Sequence, residues 1–199
     1  MAFRSARWSP RTALIAAVAL AVPVALVAAQ AQKSFAPESF KANGQITGVA
    51  GGVASAMTIA IDKYTSDADH QALADTLKKG GSAAFDSALK KAPAIGKLTI
   101  GSRSFTIRWA RTVAVGGDHR RVAAATAEPI FFAGAGAVDA KPTAGYDLGV
   151  IEFTIDSVGL GTGTMAPAAK VKAGGDTGVE IEDYSGKRIE LMTVTRGLK

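Results

Sequence analysis

With 199 residues, 48% hydrophobic and 20% charged side chains, the chain has the composition of one globular domain plus a short appendage. It has no cysteine, which excludes disulfides, a thiol nucleophile, thiolate metal sites and a lipid-modified cysteine. The formal charge is +6, but Arg4, Arg7 and Arg11 lie in the first 31 residues, which hold no acid; the remainder carries 20 basic against 17 acidic residues, a net +3, too mild and too dispersed for a nucleic-acid-binding stripe.

Those three arginines precede an apolar run from Ala13 to Ala29, broken only by Pro23, and Ala29-Gln30-Ala31 supplies small residues for a peptidase. This is the layout of a cleaved secretory signal over residues 1–31, and the run is slightly short for a span of about 20 residues. No Arg-Arg pair precedes it, which argues for the general route. Residues 32–38 then read as a linker, and 39–199 as a single β-rich domain with no membrane span after cleavage. An exported domain without disulfides relies on its core alone, and one of this length buries roughly 70% of its unfolded surface.

Within the domain, 39–47 reads as a short strand and Gly48 to Ser55 as a turn or bulge. Ala56 to Tyr64 alternates, with Met57, Ile59 and Ile61 on one face. The period then changes. Thr65-Ser66-Asp67 starts a helix with a hydroxyl cap and early carboxylates. Leu73 and Leu77 share a face, and Gly80-Gly81 ends it. A second helix, Ser82 to Lys91, carries Phe85 and Leu89 and stops at Pro93. This αα-hairpin insert at 66–92 is too short to stand alone and must be covered by the sheet.

Strands return at Gly96–Ile100 and Ser104–Val115, where Phe105, Ile107 and Trp109 alternate inward with Thr106 and Arg108 outward. Continued alternation puts Arg111 on the inward face, an odd core residue. Gly116-Gly117-Asp118 makes a hairpin turn, Arg120 to Ala127 returns, and Pro129 leads to the apolar patch Ile130-Phe131-Phe132. Ala133 to Ala144 reads as the longest loop. Four closing strands follow. Gly149, Ile151, Phe153 and Ile155 oppose Glu152 and Thr154; Gly159 to Gly163 is a turn; Met165 to Val171 returns; Val179 and Ile181 alternate with Glu180 and Glu182; Arg188 to Val194 is last. The expected fold is mainly β: an antiparallel meander of about 8–10 strands, closed as a barrel or folded as a sandwich, with the helical insert. The expected core is Ile59, Ile61, Leu73, Leu77, Phe85, Ile107, Trp109, Ile151, Phe153, Ile181 and Leu191.

Few motifs carry chemistry. The glycines at 159, 161 and 163 lack the G-x-G-x-x-G spacing and lead into a strand, so they are turn residues and not a phosphate cradle. There is no P-loop and no G-x-S-x-G. The two histidines, His70 near a helix start and His119 in a turn, read as surface residues, and with no H-x-x-x-H pair no metal site is expected. Asp67 and Asp69 read as helix-dipole acids. No cofactor and no catalytic residue is assigned. The most unusual polar set is Arg108, Arg111, Arg120 and Arg121, on two strands joined by a short turn; it suits an anion or carboxylate clamp, or, for Arg111, a place at a barrel rim paired with an acid of a neighbouring strand. Candidate ligand-binding residues are Arg108, Arg111, Arg121 and Glu152.

The order of short motifs resembles a family of exported bacterial proteins of unknown function. These are Ile61-Asp62 with Thr65-Ser66-Asp67-Ala68, Leu77-Lys78 with Gly80, and Arg108 with Ala110-Arg111. They continue with Arg120-Arg121-Val122, Ala125-Thr126, Pro129-Ile130, Tyr146-Asp147, Ile151-Glu152, Ile181-Glu182 and Tyr184-Ser185. They cover roughly residues 40–195. The resemblance implies a single exported domain, periplasmic or extracellular, and transfers no activity or functional residue. Without a nucleophile, metal or cofactor signature, the first expectation is a non-catalytic binding or structural module, its partner a small apolar ligand held in a barrel interior. Two alternatives are a carboxylate-dependent hydrolase of cell-wall or polysaccharide material and a subunit docking to an envelope protein through Ile130–Phe132.

Overall fold

The computed structural model describes residues 35–46, 54–133 and 143–197. The signal-peptide reading of 1–31, the first part of the linker, most of the turn or bulge expected at Gly48 to Ser55 and most of the long loop expected at Ala133 to Ala144 lie outside the described residues. In chain order the elements are β1 (Glu38–Ile46), β2 (Ala54–Ile61), α1 (Asp67–Lys91), β3 (Gly96–Ile100), β4 (Arg103–Gly116), β5 (His119–Thr126), β6 (Leu148–Ile155), β7 (Leu160–Ala173), β8 (Val179–Tyr184) and β9 (Ile189–Arg196).

The fold is a closed barrel, not a sandwich. The strands pair antiparallel in the order β6-β5-β4-β3-β2-β1-β9-β7, and β7 pairs back onto β6 to close the ring. The ninth strand, β8, stands outside it. β7 is 14 residues long; on one edge β9 pairs along Leu160–Met165 and β8 along Ala169–Ala173.

Alternation fills the interior. Phe40, Ile59, Ile61, Leu98, Ile107, Ile151, Ile155, Met165 and Ile189 are fully buried there, as an eight-stranded barrel requires, since its lumen is just wide enough for side chains. Phe40 meets Phe153 edge-on, with ring centroids 4.8 Å apart. Ile130 and Phe132 enter this core too, so the run expected to be an exposed patch is buried, apart from a half-buried Phe131 under the Arg103 guanidinium. Gly149 makes room: a Cβ there would lie 2.4 Å from Ile130 Cγ1.

A second core lies outside the barrel wall. Ser66 caps α1, its hydroxyl accepting from the Asp69 N–H and donating to the Asp69 carboxylate. Gly81, at φ 66° and ψ −165°, breaks the helix into two segments. Leu73 and Leu77 from the first and Phe85 and Leu89 from the second pack on Trp109, Leu148, Val150 and a floor of Ala123, Ala125, Ala166 and Ala169. Alanines on the wall let the helix approach closely, and each buried Leu or Phe contributes about 1.5–3 kcal/mol. Ser82 ties the second segment to β7 by accepting the Val171 N–H. Ile181, expected in the core, is only half-buried, because β8 stands outside the ring.

Trp109 belongs to this outer core because of a bulge. On β4, Ile107 pairs with Thr126 and Trp109 with Ala125, leaving Arg108 as the extra residue. Strict alternation therefore fails at Arg108. Ala110 and Thr112 turn inward, Trp109 and Arg111 outward, and the anomaly of a core arginine at 111 disappears. A second correction concerns the glycines. The β6–β7 turn is Asp156–Gly159, with Gly159 at φ 87°; Gly161 and Gly163 lie inside β7, where a Cβ would sit 1.8 Å from the Thr154 carbonyl and 2.3 Å from that of Glu152.

The wall over β9, β1, β2 and β3 is polar, with Thr195, Lys41, Thr58 and Thr99 in one cross-strand row. Apolar inside and polar outside is the reverse of a lipid-spanning barrel. No helix among the described residues is long and apolar enough to cross a membrane.

Candidate functional site: a cleft between helix and barrel

The helix does not cover the wall completely. Between α1, the segments that flank it and Arg108 of β4, a cleft of about 350 Å³ opens. Leu73 and Ile95 form its buried floor, and Ala72, Ala88, Ala92 and Pro93 its apolar sides. Thr65, Ser66, Asp69, Thr76, Lys63, Lys91 and Arg108 supply the polar edge. Arg108 owes its place to the bulge, which sets two successive side chains, Arg108 and Trp109, on the outer face. Its Nη1 donates to the Ala92 carbonyl at the helix C-cap, where the helix presents its negative end.

The other arginines of the expected set go elsewhere. Arg111 clamps the first turn of α1 to β4: its Nη1 lies 2.6 Å from Asp67 Oδ1 and donates to the Thr65 carbonyl at 3.4 Å. This contact holds the Asp67 carboxyl below the usual carboxylate range. Beside it, the Trp109 indole N–H donates to His70 Nδ1 at 3.4 Å. His70 is thus half-buried between α1 and the barrel, not a free surface residue; burial pushes its pKa down, and the Arg111 charge adds to this. His119 is exposed at the β4–β5 turn, as expected.

Arg121 reaches Asp176 at 2.6 Å and Glu152 at 3.8 Å on the outer face. The structure therefore brings Arg121 and Glu152 together, but away from Arg108. Glu152 also lines a smaller groove of about 270 Å³ with Glu180, Ile181, Glu182, Asp183, Tyr184 and Arg188. The Tyr146 hydroxyl, donating to Asp183, holds that carboxyl below its usual range.

Sequence reasoning missed one cluster. Arg120 shares parity with Val122 and Ala124 and points inward, where both its terminal nitrogens meet Glu38, at 2.5 and 3.0 Å. Tyr64 donates to the same carboxylate at 2.7 Å, Thr112 accepts from Arg120, and the Phe35 ring covers the guanidinium at 4.3 Å. Burial and the adjacent Glu38 push the Tyr64 hydroxyl well up. The parity of Arg120 was a usable signal; Glu38, assigned to the linker, carried none. The cluster is internally satisfied and reads as the polar seal of one barrel end. Among the described residues, no three acids or histidines gather as a metal site.

No protein-family model, curated protein or solved structure matches the chain, so the functional reading rests on this geometry.

Proposed function

We propose that the chain is an exported, non-catalytic binding module that holds a small, largely apolar ligand in the cleft between α1 and β4. The observation that carries this is the cleft itself: a concave, apolar-floored space of about 350 Å³, within the range of small-molecule sites, at a bulge that aims a cation into it. The ligand site moves from the barrel interior, where large side chains fill the lumen, to its outer wall. Export rests on the signal-like layout of residues 1–31 and on the resemblance to exported proteins.

The two other readings have less behind them. A carboxylate hydrolase needs an acid whose pKa is raised; among the acids of the smaller groove, Asp183 is shifted the opposite way. The docking reading relied on Ile130 and Phe132, which are buried.

Two measurements test the proposal. Intact mass of protein from the envelope fraction of its own host should show a chain beginning at Gln32. Native mass spectrometry of the same material should show a bound mass that Ala88→Trp, which fills the cleft, removes. A ligand retained by a folded Ala88→Trp variant would overturn the site.

A further inference from the structure

We infer that the ligand of this cleft carries an oxyanion head, a carboxylate or a phosphate, on a short aliphatic body. The inference rests on the binding reading above and deepens it.

Three observations carry it. The first is a charge imbalance. β4 and β5 carry five arginines; Arg103 stacks on Phe131, and of the four outlined by the sequence, Arg111, Arg120 and Arg121 each contact a carboxylate. Arg108 is the exception: among the described residues it has no acid partner, and it is the one that lines the cleft. Lys63 and Lys91, also on the cleft edge, likewise have no ion pair among the described residues, whereas neighbouring Lys90 is paired with Asp86 at 2.6 Å. Against these three cations the cleft holds one carboxylate, Asp69.

The second is the state of the hydroxyls. Tyr64 donates to Glu38, Ser66 to Asp69, and Thr76 to the Ala72 carbonyl, while Thr65 Oγ1 accepts the Ala110 N–H. Three of the four hydroxyls thus already donate, and only the Thr65 O–H is left over. The other donors left over are cationic N–H groups: a guanidinium has five and an ammonium three, and Arg108 uses one terminal nitrogen on Ala92. Cationic donors without acceptors call for an acceptor-only charged group, and Arg matches carboxylate or phosphate in a two-point fork.

The third is shape. The floor at Leu73 and Ile95 is buried and apolar while the cations stand at the edge, so head and body have separate places. A volume of about 350 Å³ holds on the order of ten non-hydrogen atoms, which suits a chain of medium length.

Four probes with straight alkyl bodies of seven or eight carbons and different heads test this by isothermal titration of the mature protein: octanoate, octyl phosphate, octanol and octyltrimethylammonium. At least one oxyanion should bind tenfold or more tighter than octanol, and the ammonium should not bind. The oxyanion preference should shrink between 50 and 300 mM salt, while octanol affinity stays level. Arg108→Leu and, on the exposed edge, Lys91→Gln should each weaken the oxyanion several-fold and leave octanol unchanged; Lys91→Gln keeps the test valid if Arg108→Leu fails to fold. Equal binding of octanoate, octyl phosphate and octanol, abolished by Ala88→Trp, overturns the oxyanion head while the binding module survives. Binding of none of the four, with nothing bound to protein from its own host, overturns both.

Discussion

Replacing Glu38 with leucine leaves the Arg120 guanidinium inside the barrel end without its carboxylate. The two side chains are 6% and 10% exposed, so water cannot take over. Removing one partner of such a buried pair costs about 3–5 kcal/mol. At roughly 2–4 °C per kcal/mol for a domain of this size, Tm should fall by about 6–20 °C. Arg120→Leu should cost less, because Arg196 stands 3.9 Å from Glu38 and Tyr64 still donates to it. The double variant Glu38→Leu/Arg120→Leu should be more stable than the Glu38→Leu single. Both charges are then gone, and the residual loss is the orphaned Tyr64 hydroxyl, about 1–3 kcal/mol. Urea unfolding of the four proteins at pH 7, with midpoints compared at constant slope, yields the coupling energy. A coupling below about 0.5 kcal/mol, with additive singles, would refute the claim that this pair is a closed unit sealed from solvent.

Three further outcomes follow from the geometry. His70 has a lowered folded pKa, so its neutral form suits the fold; stability should be complete above the unfolded value, about 6.5, and decline as pH falls through the folded one. His70→Gln should flatten the wild-type loss between pH 7.5 and 5, read as urea midpoints; an unchanged slope would remove His70 as the cause. Gly161→Ala drives a Cβ into the Thr154 carbonyl at 1.8 Å and should prevent folding or cost several kcal/mol, whereas Gly174→Ala meets only the end of the Glu180 side chain, at 2.7 Å, and should be nearly silent. Deleting Arg108 removes the extra residue of the bulge and leaves Ile107 opposite Thr126 and Trp109 opposite Ala125 on their present faces, so soluble protein with the circular dichroism of the parent should be retained, as for Arg108→Gly; loss of soluble protein on deletion alone would refute Arg108 as the bulge residue.

Much of the architecture was legible because period-2 alternation and glycine turns repeat along the chain. Met57, Ile59 and Ile61 point inward as their spacing demands, and the helical stretch from Ser66 ends near Pro93. Parity, however, is a local rule that one extra residue resets. The bulge at Arg108 left Phe105 and Ile107 correctly placed and inverted Trp109 and Arg111. Glycine likewise has two uses. At Gly159 it supplies a positive φ, and at Gly161 and Gly163 it supplies absent bulk beside another backbone, and the sequence does not say which. The cleft was half visible. Arg108 stood out as an arginine in an apolar strand, and the helices visibly needed cover. Its partners Lys63, Leu73 and Lys91 come from segments whose angle to the wall is set by tertiary packing alone.

The position of β9 has a consequence for how the chain reaches this state. β1 through β7 form successive neighbours, but β7 and β1 do not meet each other; β9 lies between them, pairing Phe40 with Arg196 and Leu160 with Thr195. Until the segment 189–196 is available, the sheet is an open ribbon with two unpaired borders. Its closing contact links residues separated by most of the domain, a late and slow event in topological terms. A chain emerging from the ribosome therefore stays unclosed until residues 189–196 have been made.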